Sequence, residues 1–135
     1  MDAERIAVLG FSQGARSVLC VANDKCIIEK PGDPFKAAIA FYPLCTGSLQ
    51  DNNAPLMVLM GEKDDWTPAG RCHHMDRRPR GQHEATFVFY PNAYHSFDKP
   101  GINNTYMGHR QLYDSEATAD AREKVKSFLS KYIGR

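Results

Sequence analysis

The run Ile6-Ala7-Val8-Leu9-Gly10-Phe11-Ser12-Gln13-Gly14-Ala15 decides how this chain reads. Its first four residues are apolar and predict a short strand. Gly10-Phe11-Ser12-Gln13-Gly14 follows at once as a G-x-S-x-G turn. Ala15, Val18, Leu19 and Ala22 then recur at helical spacing. In a strand, sharp turn, helix context the serine takes a strained backbone conformation, and its hydroxyl stands clear of the sheet. Glycines two residues either side of it are expected, because a Cβ there would meet the neighbouring strand or helix. Ser12 is therefore a candidate nucleophile, weighed against an ordinary turn-forming serine.

Two more strands end in the residue types such a serine needs. Leu56–Met60 is an apolar run closed by Gly61-Glu62-Lys63-Asp64-Asp65-Trp66-Thr67-Pro68. Thr86–Tyr90 is another, closed by Pro91-Asn92-Ala93-Tyr94-His95-Ser96-Phe97. In a parallel sheet the C-terminal strand ends lie side by side, where open α/β folds place their chemistry. A serine hydroxyl is a poor nucleophile at neutral pH and needs a base, for which His95 is the candidate. A carboxylate would hold the imidazole tautomer and stabilise the imidazolium. Asp64 and Asp65 are both candidates, against a solvated turn with an Asx cap; His95 is weighed against a packed loop histidine. The order Ser, acid, His favours a hydrolytic triad. The backbone N–H of Gln13, next after the serine, is the candidate oxyanion donor.

Outside these stretches the chain alternates strand and helix. Strands are expected at 6–10, 37–42, 56–60 and 86–90. Helices are expected from Gly14 to about Asn23, from Thr67-Pro68 through Met75, and from Ser115 to Tyr132. The last carries the stripe Ala117, Ala121, Val125, Phe128, Leu129 and Tyr132, with Ser115 as its N-cap and Gly134 as its stop. Residues 25–36, 47–53 and 97–113 read as loops, the last irregular and lying over the site. Short, nearly continuous apolar runs imply strands buried on both faces, hence a mostly parallel α/β sheet of about four strands flanked by helices.

Composition narrows the function classes. The chain has 135 residues, 42% hydrophobic and 24% charged, with a net charge of +1, which gives no reason to invoke nucleic acid or an anionic membrane. No apolar run approaches the ~20 residues of a transmembrane helix. Arg71, Arg77, Arg78 and Arg80 read as a solvated face. Four cysteines, Cys20, Cys26, Cys45 and Cys72, form no C-x₂-C pair, so neither a zinc site nor any other metal or cofactor is expected. Cys72-His73-His74 are adjacent on a helix, diverge, and are expected at the surface. Cys45 and Cys72 follow neighbouring strands at one end of the sheet. A disulfide between them, implying an oxidising compartment, and buried free thiols both remain open. The sequence leaves a cytoplasmic and a periplasmic location open.

Three stretches carry a resemblance: Arg5–Gly14, Pro55–Pro68 and Tyr90–Phe97. Together they resemble the C-terminal half of a dienelactone hydrolase, in the α/β-hydrolase superfamily. The resemblance implies that residues 1–135 are a single partial α/β-hydrolase domain whose first strands have no counterpart here. It places the acid four residues before the proline of the turn, which selects Asp64 over Asp65. Dienelactone hydrolases proper carry Cys as nucleophile; Ser12 departs from them and points to a serine esterase-like relative acting on carboxylic esters or lactones. The superfamily's second oxyanion donor comes from a loop well before the nucleophile, and only eleven residues precede Ser12. Two readings follow: a Ser12–Asp64–His95 hydrolase, or a catalytically incomplete fragment serving as an assembly module. If the family topology holds, strand 6–10 is an exposed sheet edge, and a homodimer covering it is expected.

Overall fold

The computed structural model describes residues 2–26 and 34–134. Its frame is a sheet of four parallel strands in the order β1 (Ala7–Phe11), β2 (Ala37–Phe41), β3 (Leu56–Gly61), β4 (Ala85–Tyr90). The register runs Ala7↔Ala37 to Phe11↔Phe41, Ala38↔Leu56 to Phe41↔Leu59, and Leu56↔Ala85 to Gly61↔Tyr90. β2 and β3 are buried along their whole length, the result of running apolar without alternation between two covered faces. Among the described residues β1 pairs on one side only, and on it Leu9 and Phe11 are 44% and 41% exposed.

Helix α1 (Gln13–Val21) buries Ala15, Val18 and Leu19. It packs on the sheet face toward which a Cβ at Gly10 would point. Side chains alternate along a strand, so Leu9 and Phe11 point to the opposite face. There, with Phe41, they line a groove of about 340 Å³ against Ala121 and Val125 of the last helix, α3 (Ser115–Ile133). Helix α2 (Ala69–Asp76), which connects β3 to β4 in the chain, buries Ala69, Cys72 and Met75.

Several expectations are corrected. The N-cap of α3 is Asp114, whose carboxylate accepts the Ala117 amide at 3.0 Å; Ser115 is already inside the helix. Asp and Ser cap equally well, so the side chain whose backbone is extended takes the role. The stretch 97–113 is not irregular throughout: β5 (Asn103–Tyr106) and β6 (His109–Leu112) form an antiparallel hairpin. Its two linking residues, Met107 and Gly108, have φ of 50° and 82°. Positive φ at both central positions lets a two-residue turn follow the twist of its strands. Gly134 does end α3, but at φ −72°, and a Cβ there would lie 2.4 Å from the Ser130 carbonyl oxygen.

Of the loop expected over 25–36, residues 27–33 lie outside the described residues. Two disulfides are present. Cys45–Cys72 ties the segment after β2 to α2, which leaves Cys72 fully buried, not at the surface; His73 is half-buried and His74 exposed. Cys20–Cys26, spanning the C-terminal end of α1, had no counterpart among the expectations. Arg71, Arg77 and Arg78 are exposed, and Arg80 pairs with Asp76 at 2.6 Å. No helix among the described residues is long and apolar enough to cross a membrane.

Candidate active site

Ser12 sits between β1 and α1 at φ 56°, ψ −115°, a backbone region that L-residues rarely adopt. Its amide donates to the Phe41 carbonyl at 2.9 Å, so the neighbouring strand holds the turn. The glycines flanking it differ in role. A Cβ at Gly10 would lie 2.4 Å from the Gly14 carbonyl oxygen and 2.9 Å from the Ala15 nitrogen, so the strand and helix approach closely only with glycine there. A Cβ at Gly14 would meet nothing within 4 Å of the described residues, so the steric expectation fails at that position. Gln13 opens α1, so its amide is one of the unpaired donors of a helix N-terminus.

The three loops after β1, β3 and β4 converge. Ser12 Oγ lies 2.9 Å from His95 Nε2, and His95 Nδ1 lies 2.7 Å from Asp64 Oδ2. His95 and Asp64 are 2% and 4% exposed; Ser12 is half-buried. Asp64 Oδ1 accepts the amides of Trp66 and Thr67 at 2.9 and 2.8 Å, and Oδ2 accepts the Thr67 hydroxyl at 3.0 Å. Everything around this carboxylate is a donor. Nδ1 of His95 therefore carries a proton, and the lone pair of Nε2 faces the serine hydroxyl, an assignment made from the partners. Asp65, the other candidate acid, is exposed and instead lies 3.3 Å from His109 Nδ1.

Aromatic rings enclose the imidazole. Tyr42 packs edge-on at 4.7 Å between centroids, and Trp66 lies at 5.0 Å. The Tyr42 hydroxyl donates to Asp98 at 2.6 Å, and burial together with that carboxylate holds the phenol far above its usual pKa. The hairpin closes over this layer. Gln111 bridges to His95 through the backbone and accepts the Ser96 hydroxyl at 2.8 Å, while Tyr106 and His109 pack on Trp66 at 5.6 and 5.2 Å. A cavity of about 530 Å³ opens beside Gln13, lined among others by Arg16, Cys20, Asn23 and Thr46. No group of three or more His, Cys, Asp and Glu among the described residues is arranged to hold a metal.

Sequence reasoning missed Thr67, Trp66, Tyr42 and Gln111. Thr67 and Trp66 lay in a stretch already singled out, but only as neighbours of the acid. Gln111 gives no local signal, because its role depends on a hairpin that brings it to His95.

The parallel order of strands, the turn at Ser12 and the convergence of loops after β3 and β4 define part of an α/β-hydrolase fold. The chain belongs to the dienelactone hydrolase family, whose model matches residues 1–133. Among solved structures, a Klebsiella pneumoniae protein assigned to the dienelactone hydrolases is 25% identical with a TM-score of 0.72, covering 97% of this chain and 54% of its own. A dienelactone hydrolase-like promiscuous phosphotriesterase from metagenomic libraries is 21% identical at a TM-score of 0.72, covering 99% of this chain and 55% of its own. A thermophilic esterase from the planctomycete Thermogutta terrifontis is 16% identical at 0.64, covering 95% and 55%. The chain thus spans little more than half the length of each. No curated protein matches it significantly.

Proposed function

We propose that this chain carries the reacting groups of a serine hydrolase of carboxylic esters or lactones, with Ser12 as nucleophile, His95 as general base and acid, and Asp64 as the orienting carboxylate. The observation behind the reading is the unbroken hydrogen-bond chain Ser12–His95–Asp64 with the serine at positive φ. In the first half-reaction Ser12 Oγ attacks the carbonyl carbon and its proton passes to His95 Nε2. The C–O π electrons move onto oxygen, and the Gln13 amide is one donor to that oxyanion. Collapse expels the alcohol, which takes the proton from His95, and leaves an acyl-Ser12. A water activated by His95 then attacks the acyl carbon and restores the serine. Family membership agrees with hydrolysis, and the esterase among the similar structures agrees with an ester substrate.

The test is hydrolysis of p-nitrophenyl acetate by wild type and Ser12→Ala, with fluorophosphonate labelling of both. The reading expects labelling and turnover in the wild type and neither in the variant. Equal background rates and no labelling in two folded proteins overturn it. A second reading, a non-catalytic assembly module forming a homodimer, is favoured by β1, an edge strand with exposed Leu9 and Phe11. Light scattering decides it, a strictly monomeric protein counting against the dimer.

A further inference from the structure

Thr67 is a small buried residue with more partners than a turn requires. Its amide holds Asp64 Oδ1 at 2.8 Å. Its hydroxyl oxygen lies 3.0 Å from Asp64 Oδ2, 3.1 Å from the Tyr42 carbonyl oxygen and 3.2 Å from His95 Nδ1. Two of those neighbours are acceptors, and a hydroxyl has one proton to give. The two acceptors also belong to different strand ends, Tyr42 following β2 and Asp64 following β3. A covalent strap joins the same two segments: Cys45, three residues past Tyr42, is bonded to Cys72, five residues past Thr67. The Cys72 sulfur itself lies 3.7 Å from the Pro43 carbonyl oxygen. Hydrogen bond and disulfide thus close a ring through residues 42–45 and 67–72, which anchors the end of the acid turn at Thr67.

We propose that Thr67 is a positioning residue for the Asp64–His95 pair, and that its hydroxyl proton moves between two acceptors as His95 changes charge. With neutral imidazole, the hydroxyl donates to Asp64 Oδ2 and shares the load of that oxygen with Nδ1–H. When His95 takes the serine proton, the imidazolium draws on Oδ2 more strongly. The hydroxyl then turns to the Tyr42 carbonyl and leaves the carboxylate to the cation. No covalent bond to Thr67 forms or breaks, and its proton stays on Oγ1 throughout. The device favours the neutral imidazole in the resting enzyme, because only that state gains the Thr67–Asp64 bond. The ionisable groups facing this frame are Asp64 and His95 themselves, and Tyr42, whose phenol is bound to Asp98; beyond Trp66 lie Asp65 and His109.

The inference rests on the hydrolase reading, and its test separates the two. Thr67→Val keeps the shape and removes the hydroxyl; Thr67→Ser keeps the hydroxyl and removes the methyl. The His95 titration is followed by NMR of its ring protons, and p-nitrophenyl acetate kinetics are taken across pH. Losing the hydroxyl's hydrogen bond to the charged carboxylate, net of the bond to the Tyr42 carbonyl that replaces it when His95 is charged, is expected to raise the His95 midpoint by about half to one pH unit in Thr67→Val. The acid limb of kcat/KM moves up with it, and kcat falls about five- to tenfold with KM unchanged. Thr67→Ser returns both to wild-type values. If Thr67→Val does not fold, Thr67→Ala against Thr67→Ser makes the same comparison. A His95 midpoint that stays put or falls without the hydroxyl overturns the proposal, as does a rise in KM alone. A wild type without turnover or fluorophosphonate labelling overturns the hydrolase reading instead, and the NMR titration still decides the role of Thr67.

Discussion

Removing the Cys45–Cys72 bridge should destabilise this chain more than removing Cys20–Cys26, and the difference follows from the loops they close. The first spans 27 residues of sequence and the second 6. Restricting the unfolded chain over a 27-residue separation is worth about 3.5 kcal/mol, and over 6 about 2.2 kcal/mol. The gap of about 1.3 kcal/mol widens by packing, because Cys72 is fully buried and Cys45 nearly so, and truncating buried atoms to alanine leaves a void. The assay is urea unfolding under oxidising conditions of wild type, Cys45→Ala/Cys72→Ala and Cys20→Ala/Cys26→Ala. With a slope of about 2 kcal/mol per molar, the first double variant should unfold about 1.5–2 M earlier than wild type and the second about 1 M earlier. Reductant should bring the wild type down as well. Equal midpoints for wild type and Cys45→Ala/Cys72→Ala, or a larger loss at Cys20–Cys26, would refute the reasoning.

Other perturbations probe the site and its supports. Asp64→Asn should reduce turnover on p-nitrophenyl acetate by several orders of magnitude, about the 10⁴ seen where a triad carboxylate is neutralised. Asp65→Asn should stay within a few-fold of wild type, and the reverse ranking would move the acid role to Asp65. Gly10→Ala pushes a Cβ to 2.4 Å from the Gly14 carbonyl oxygen and should lower the thermal midpoint by several degrees, whereas Gly14→Ala, with open space, should not. The Asp120 carboxyl is held below its usual range first by the hydrogen bond from Lys124 and then by that from Tyr90. A lowered acid contributes stability that is full above its unfolded value and lost as pH falls through the folded one. Acid unfolding of Asp120→Asn should therefore begin from a lower plateau and show a shallower slope below about pH 4 than wild type.

What the sequence made legible was local. Ile6–Gly14 and the apolar runs before Asp64 and His95 each carry their signal within about ten residues, and a parallel sheet turns those separate signals into neighbouring strand ends. The hairpin at 103–112 was hidden because Asn103, Asn104 and Thr105 all face solvent, so no alternation marks the strand, and Met107-Gly108 is a weaker turn signal than Asn-Gly. Asp114 and Ser115 are equally good caps one residue apart, and only the backbone angle separates them. Cys20–Cys26 closes across the turn that ends α1, a distance fixed by where the helix stops. Two of the three partners of the Thr67 hydroxyl, Tyr42 and His95, come from two other loops, and no spacing rule relates position 67 to 42 and 95.

The long reach of the Ser12–His95 hydrogen bond has a consequence in time. Its partners are 83 residues apart in sequence, while His95 and Asp64 are 31 apart. Each parallel pairing in the sheet must also wait for its crossover, and chains dominated by such distant contacts fold slowly. A refolding molecule therefore assembles its serine–histidine contact only after β1, β2, β3 and β4 have all found their places. Fluorophosphonate reactivity, sampled during refolding, should be the last signal to return, after the circular dichroism of the helices.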